Sequence, residues 1–477
     1  MKEARRDQTR LEIARLRAEL DDWLALRNAK DIDHNGAPRG QYDSQLQAIH
    51  DAVAVAAKVI ADDLHNADLN TLSVGEAYAR CAQYDQLIIW LWRVFGFFRA
   101  KFDQRDDPIL QNTLRAADDV LWSCYKPFFQ KPKMAGRRGA PPLPYIETEY
   151  SPLAVSKKER PLSLELKIKF EPLKKTLDEL PVAIMRLPTS TVTAGWSLAL
   201  IGHETGHFVQ PAVPSNYTKS FAEMLARAVE KAAGKTSEQD NWYAWAPEVF
   251  ADWYSVILMG PWAAWVMAQF EIKDSESMLK PRKSYPSPLV RLKLLSTLAS
   301  SYVPSAGKIL APLDLESYYS SEDEVKDLKF VAAVCEEITG SELPDGLGKM
   351  SDLLNFRPEE FEEDGDDPRK ENEVGAWASA LLGRAAKTND QHVRTARLVA
   401  AGAARAWSEI MRVEDPDQRR DAARALNQTV FARIVDNGEL GKRGAAAQEP
   451  GQGAQVGAAV GKLLLEIDPA LLREEGE

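Results

Sequence analysis

Cysteine is scarce in this chain, three residues in 477, and Cys81, Cys124 and Cys335 lie far apart with no paired spacing. Neither a disulfide framework nor a cysteine zinc site is indicated, and buried free thiols are expected. Histidine is sparse too, at six residues. Positive charge is in deficit: the formal net charge is −11 and the pI about 5.3. That balance disfavours nucleic acid as the main partner, because phosphate recognition needs a positive surface. No apolar run reaches the about 20 residues of a membrane-spanning helix. Leu87 to Phe98 is short and carries Arg93, while Ser255 to Phe270 is broken by Gly260 and Pro261. Both are expected as buried helical segments, and no stable membrane insertion is expected. The opening residues are charged throughout and lack the apolar centre of a secretory signal, so a cytoplasmic location is expected.

What is present is an ordinary globular composition, 45% hydrophobic and 27% charged, in a chain long enough for several compact units. Residues 1–130 read as an N-terminal helical domain: Leu16, Leu20, Trp23 and Leu24 mark one apolar helix face, and Leu46, Ile49, Val53, Ile60 and Leu64 another. Between them Asp31, Asp33, Asn35 and Gly36 imitate the start of a calcium loop, but Tyr42 stands where that loop needs a bidentate Glu, so a plain turn is expected. Residues 131–144, rich in Pro, Gly and basic side chains, read as a linker. In the domain at 145–305, Leu162 to Phe170 alternates apolar and polar residues as a half-buried strand does. A second strand is expected from Val182 to Leu187, placed at a sheet edge between prolines and able to pair with an extended peptide. A C-terminal helical region follows at 306–440, with a solvated acidic loop at 358–373, a flexible segment at 441–457 and a terminal helix at 458–477.

The chemistry concentrates in GWSLALIGHETGHFV, which reads as one continuous, mostly apolar helix. HETGH sets His203 and His207 four residues apart, so a helix turns both imidazoles to one side, close enough to share a tetrahedral zinc. Glu204 is then aimed near the open coordination position, where a carboxylate can act as general base. A third ligand comes either from a His shortly downstream or from a Glu on a later helix. The next histidine is His392, which leaves the carboxylate. In WAPEVFADWYSV, Glu248 and Asp252 share a helix face, Glu248 as ligand and Asp252 as acceptor of a ligand histidine's other N–H.

The ordered set HETGH, EVFAD and YPSPLVR resembles the gluzincin metallopeptidases, with its nearest likeness in the CAAX prenyl endopeptidase-like group. The likeness covers roughly Pro161 to Leu295. It implies a mainly α fold with a small β-sheet (α+β), a zincin-like metallopeptidase core flanked by helical domains, and one Zn2+ per chain. Tyr285 stands where those enzymes have His, and a phenol can donate to the oxyanion formed at a scissile carbonyl. Tyr217 and Tyr243 are alternatives for that role, and core packing is an equal reading of Tyr285. Arg291 is expected to pair with a carboxylate and hold the helices together. The implied activity is zinc-dependent hydrolysis of peptide bonds, more an endopeptidase than an exopeptidase, with a protein or peptide as substrate. The alternative is a non-catalytic scaffold whose helices the same zinc staples together.

Overall fold

The computed structural model describes residues 1–33, 35–147, 153–155 (backbone only), 170–235, 237–281, 284–320, 325–363, 371–388, 390–443, 451–467 and 472. The strand expected over Leu162 to Phe170 lies outside them, apart from Phe170 at its end. The described residues are mainly helical with one small sheet. Three long helices come first, α1 (Lys2–Lys30), α2 (Asp43–Asn66) and α3 (Val74–Asp103). Their apolar stripes meet in one core, with Leu16, Leu20, Ile49, Val53, Phe95 and Phe98 inside it. A capping box at Ser73 and Glu76 starts α3, whose Leu87-to-Phe98 segment buries Leu87, Ile88, Leu91, Val94, Phe95 and Phe98 but leaves Ile89 exposed. In the turn before α2, Asp33 accepts from the amides of Asn35 and Ala37 and Asp31 from that of Gln41. The carboxylates close a turn, as the missing Glu at the calcium-loop end predicts.

The sheet has the order β1-β3-β2, with β1 (Leu143–Glu147) parallel and β2 (Leu153–Val155) antiparallel to β3 (Ile184–Pro188). The strand expected from Val182 to Leu187 is therefore present, but it is the central strand, paired on both sides. Its expected role as an open edge for a peptide is overturned, because its backbone groups are already used. The sheet also partitions the protein. Period-two alternation sends Leu143, Tyr145 and Ile184 into the core of the N-terminal helices, and Ile146, Met185 and Leu187 into a second, larger core.

That second core is built by α4 (Gln111–Tyr125), α5 (Ile201–Val209), α6 (Tyr217–Ala233), α7 (Ala246–Met259), α8 (Pro261–Glu271), α9 (Pro288–Tyr302), α10 (Thr395–Ile410) and α11 (Pro416–Asp436). Gly260, at φ +59°, and Pro261 separate α7 from α8, so the Ser255-to-Phe270 stretch is two buried pieces. No helix among the described residues is long and apolar enough to cross a membrane. The segment before α5 departs from the expected single helix, since Gly195–Leu200 is a 3-10 helix that widens into the α-helix at Ile201. Part of the acidic stretch is likewise not solvated: Glu360 is buried and pairs with Arg394 at 2.8 Å.

The last helix among the described residues, α12 (Gln452–Glu466), returns to the N-terminal core and lies along α2. Gly453 and Gly457 rest on the backbone of Ala48 and Ala52, where a Cβ would come within 2.5 and 2.4 Å of the carbonyl oxygens. The stretch from Gly441 to Gly457, read as flexible, thus ends as a packed helix.

One buried carboxyl sets a pH dependence. Burial, with Glu238 nearby, raises Asp327 to about 6, against a hydrogen bond from Trp242 Nε1 at 3.0 Å. An unfolded Asp ionises near 3.9, so the native state holds the extra proton, and stability falls as pH rises from about 4 to about 6. Asp327→Asn keeps an acceptor for Trp242 and removes the charge. It is expected to gain roughly 1 kcal/mol above about pH 6, the residual solvent contact screening the rest, and nothing below about pH 4. Urea midpoints of both proteins at pH 4 and 8 check this.

Candidate metal centre

Two glycines explain how the HETGH helix and the EVFAD helix come together. Gly202 and Gly206 recur four residues apart on α5 and face Ser255 and Ala251, also four apart, on α7. A Cβ at Gly206 would stand 2.7 Å from the Ala251 Cα, so only hydrogen permits this approach. Gly206→Ala is accordingly expected to force the helices apart, costing about 1–3 kcal/mol. Thermal denaturation together with the metal content of the purified variant measures both consequences.

Across this contact the side chains converge. His203 Nε2 lies 3.2 Å from His207 Nε2 and 3.3 Å from Glu248 Oε2, and His207 Nε2 lies 3.5 Å from Glu248 Oε1. The two rings are nearly perpendicular, at 88°. All three residues, Glu204 and Asp252 are at most 9% exposed. His203, His207 and Glu248 together form a group able to hold a metal ion. Glu204 follows His203 on α5, about 100° round the helix from it and about 60° from His207.

Behind the ligands sits an ion network. Asp252 Oδ1 lies 2.8 Å from His203 Nδ1, so Nδ1–H donates to that carboxylate and Nε2 is the nitrogen turned towards Glu248. Asp252 also takes a two-pronged contact from Arg291, whose Nε and Nη2 are both 2.9 Å away. Arg291 Nη1 reaches Glu271 Oε1 at 3.1 Å, and Nη2 reaches Glu248 Oε2 at 3.4 Å. Nη2 is nearly equidistant from the His203 ring nitrogens, 3.1 Å from Nε2 and 3.3 Å from Nδ1. In the ring plane that position would collide with Cε1, so the guanidinium lies over the face of the imidazole.

The charges follow from this arrangement. Burial and the nearby Arg291 oppose a charge on His203, but Asp252, by its charge and hydrogen bond, and Glu248 outweigh them and raise the imidazole to about 10. Burial alone would raise the Glu248 carboxyl, yet His207, His203 and Arg291 hold it below its usual range. Asp252, against the same burial, is pulled to about 2 by Arg291 and His203.

The structure thus brings His203, His207, Glu248, Asp252 and Arg291 together, and Glu204 is buried on α5 next to His203 in the chain. Arg291 owes its place to SYPSPLVR: Ser287 caps the start of α9 by accepting from Val290 N, Pro288 occupies the first turn, and Arg291 follows one turn later. Tyr285 is half-buried before this helix, its ring centroid 5.9 Å from Arg291 Cζ. Tyr217 packs on Phe221 and Phe250, and Phe250 is on the face of α7 opposite Glu248. Tyr243 is 42% exposed on its own short helix. Glu271 was not foreseen. Its signal was a carboxylate at the end of the apolar run PWAAWVMAQFE, on the same helix face as Ala264 and Ala268.

No protein-family model matches the chain, and comparison with curated proteins and with solved structures gave no match.

Proposed function

We propose that the chain is a zinc-dependent peptidase of gluzincin type, built on a zincin-like core. The observation that carries the metal assignment is the triangle of donor atoms. A tetrahedral zinc with ligand distances of about 2.0–2.1 Å needs donors roughly 3.3–3.4 Å apart. Here the two imidazole nitrogens are 3.2 Å apart, and the Glu248 carboxylate lies 3.3 Å from His203 through Oε2 and 3.5 Å from His207 through Oε1. Two imidazoles and one carboxylate are also the donor set of a catalytic site, which leaves a coordination position for water and substrate. A structural zinc, by contrast, takes four protein ligands.

Bound zinc would supply Lewis acidity, polarising a carbonyl and bringing water to a pKa of about 7. The chain's residues supply the rest. Asp252 orients His203 through Nδ1, and Arg291 holds Asp252 and touches Glu248, so the ligands are set before substrate arrives. Glu204 takes the proton of the attacking water and passes it to the leaving amine. Tyr285, beside the Arg291 network, donates its phenolic hydrogen to the developing oxyanion.

The test is zinc stoichiometry and cleavage of casein or a peptide library by the purified protein. The expected result is one zinc per chain, cleavage abolished by a chelator, and cleavage restored by zinc. One zinc without cleavage of any substrate would favour the stapled scaffold, and absence of metal binding would remove the site.

A further inference from the structure

Glu271 belongs to neither motif, yet it is 8% exposed and reaches into the centre from a third helix, α8. Asp252 grips one edge of the Arg291 guanidinium, through Nε and Nη2. Glu271 takes Nη1 on the other side. Two carboxylates on two edges fix both the plane and the rotation of the group, which a single flexible side chain would otherwise be free to change. Nη2, which also meets Asp252, is turned with its remaining N–H side towards Glu248 Oε2 and the face of His203.

We propose that Glu271 is a positioning residue of the metal centre: by holding Nη1 it keeps Arg291 turned so that Nη2 restrains the Glu248 carboxylate and the His203 ring. This rests on the reading of His203, His207 and Glu248 as metal ligands. Arg291 released from Glu271 could follow Glu248 or Asp252 into other arrangements, and the donor triangle would open. Glu271 acts on the ligands only through Arg291, and that dependence is what an experiment can isolate.

The experiment measures zinc affinity by competition with a chromophoric chelator, using full-length wild type, Glu271→Gln, Arg291→Lys and the double variant. Glu271→Gln is expected to weaken zinc binding by about 10–100-fold, the range for losing a partner that orients a ligand. The double variant should bind no more weakly than Arg291→Lys alone. The visible absorption of the cobalt-substituted protein should shift in Glu271→Gln, a change that a remote loss of stability would not produce. Glu271→Asp keeps the charge on a shorter arm and should have intermediate affinity, and it decides the matter if Glu271→Gln does not fold. Wild-type affinity in the folded Gln or Asp variant, or additive losses in the double variant, would overturn the proposal. If the wild type itself binds no zinc, the ligand assignment falls and this inference with it. Tight wild-type binding that Glu271→Gln leaves unchanged removes this inference alone.

Discussion

Glu204→Gln should retain one zinc per chain and lose peptide cleavage by about 10²–10⁴-fold, the usual contribution of a positioned general base. The exchange preserves the volume and one acceptor oxygen of a side chain that is 6% exposed. Folding and the ligand triangle should therefore be undisturbed. What the amide lacks is the ability to accept a proton and return it, so the loss should fall on kcat and leave KM nearly unchanged. Metal content by elemental analysis and steady-state kinetics on one peptide decide it. A variant that keeps its zinc and cleaves at more than about a tenth of the wild-type rate would show that another group does this work.

The candidate centre was largely legible because its determinants are local. Four-residue spacing on a helix fixes which side chains share a face, so His203 with His207, and Glu248 with Asp252, could be paired before any contact was known. The Gly260-Pro261 break and the Ser287-Pro288 helix start are local in the same sense. What was not legible depends on partners distant in sequence. Nothing within Val182 to Leu187 announces that β1 and β2 occupy both of its edges. Glu271 resembles an ordinary helix-terminal acid until Arg291 is seen against it. The glycines at 453 and 457 mislead by composition: they read as part of a flexible segment, while their spacing of four, continued by Gly461, sets them on one face against Ala48, Ala52 and Ala56. Composition describes what a segment can do alone, and these glycines are chosen for what lies opposite.

Asp119→Ala should cost about 3–5 kcal/mol, the penalty for leaving buried charges without their partner. Asp119, on α4, is almost fully buried between Arg39 and Arg443, whose side chains are nearly as inaccessible. Arg443 is held further by Gln41 Oε1 at 3.1 Å and by the Glu439 carbonyl at 2.7 Å, and its own amide donates to the Arg39 carbonyl at 2.6 Å. One carboxylate therefore joins the turn before α2, helix α4 and the chain after α11. Denaturant midpoints at constant slope measure the loss. The origin of the penalty gives a second test. If it is the desolvated guanidinium groups, then replacing Arg39 and Arg443 by Met as well should recover much of the stability, since apolar groups of similar volume carry no charge to solvate. No recovery in the triple variant would mean that the three residues matter for shape. The effect should also reach the metal centre. The far end of α4 takes a hydrogen bond from Tyr254, whose hydroxyl donates to the Cys124 carbonyl at 2.7 Å, and Tyr254 is on the helix that carries Glu248. A shift of α4 loosens one wall of the donor triangle, so zinc affinity should fall in Asp119→Ala and return with stability in the triple variant.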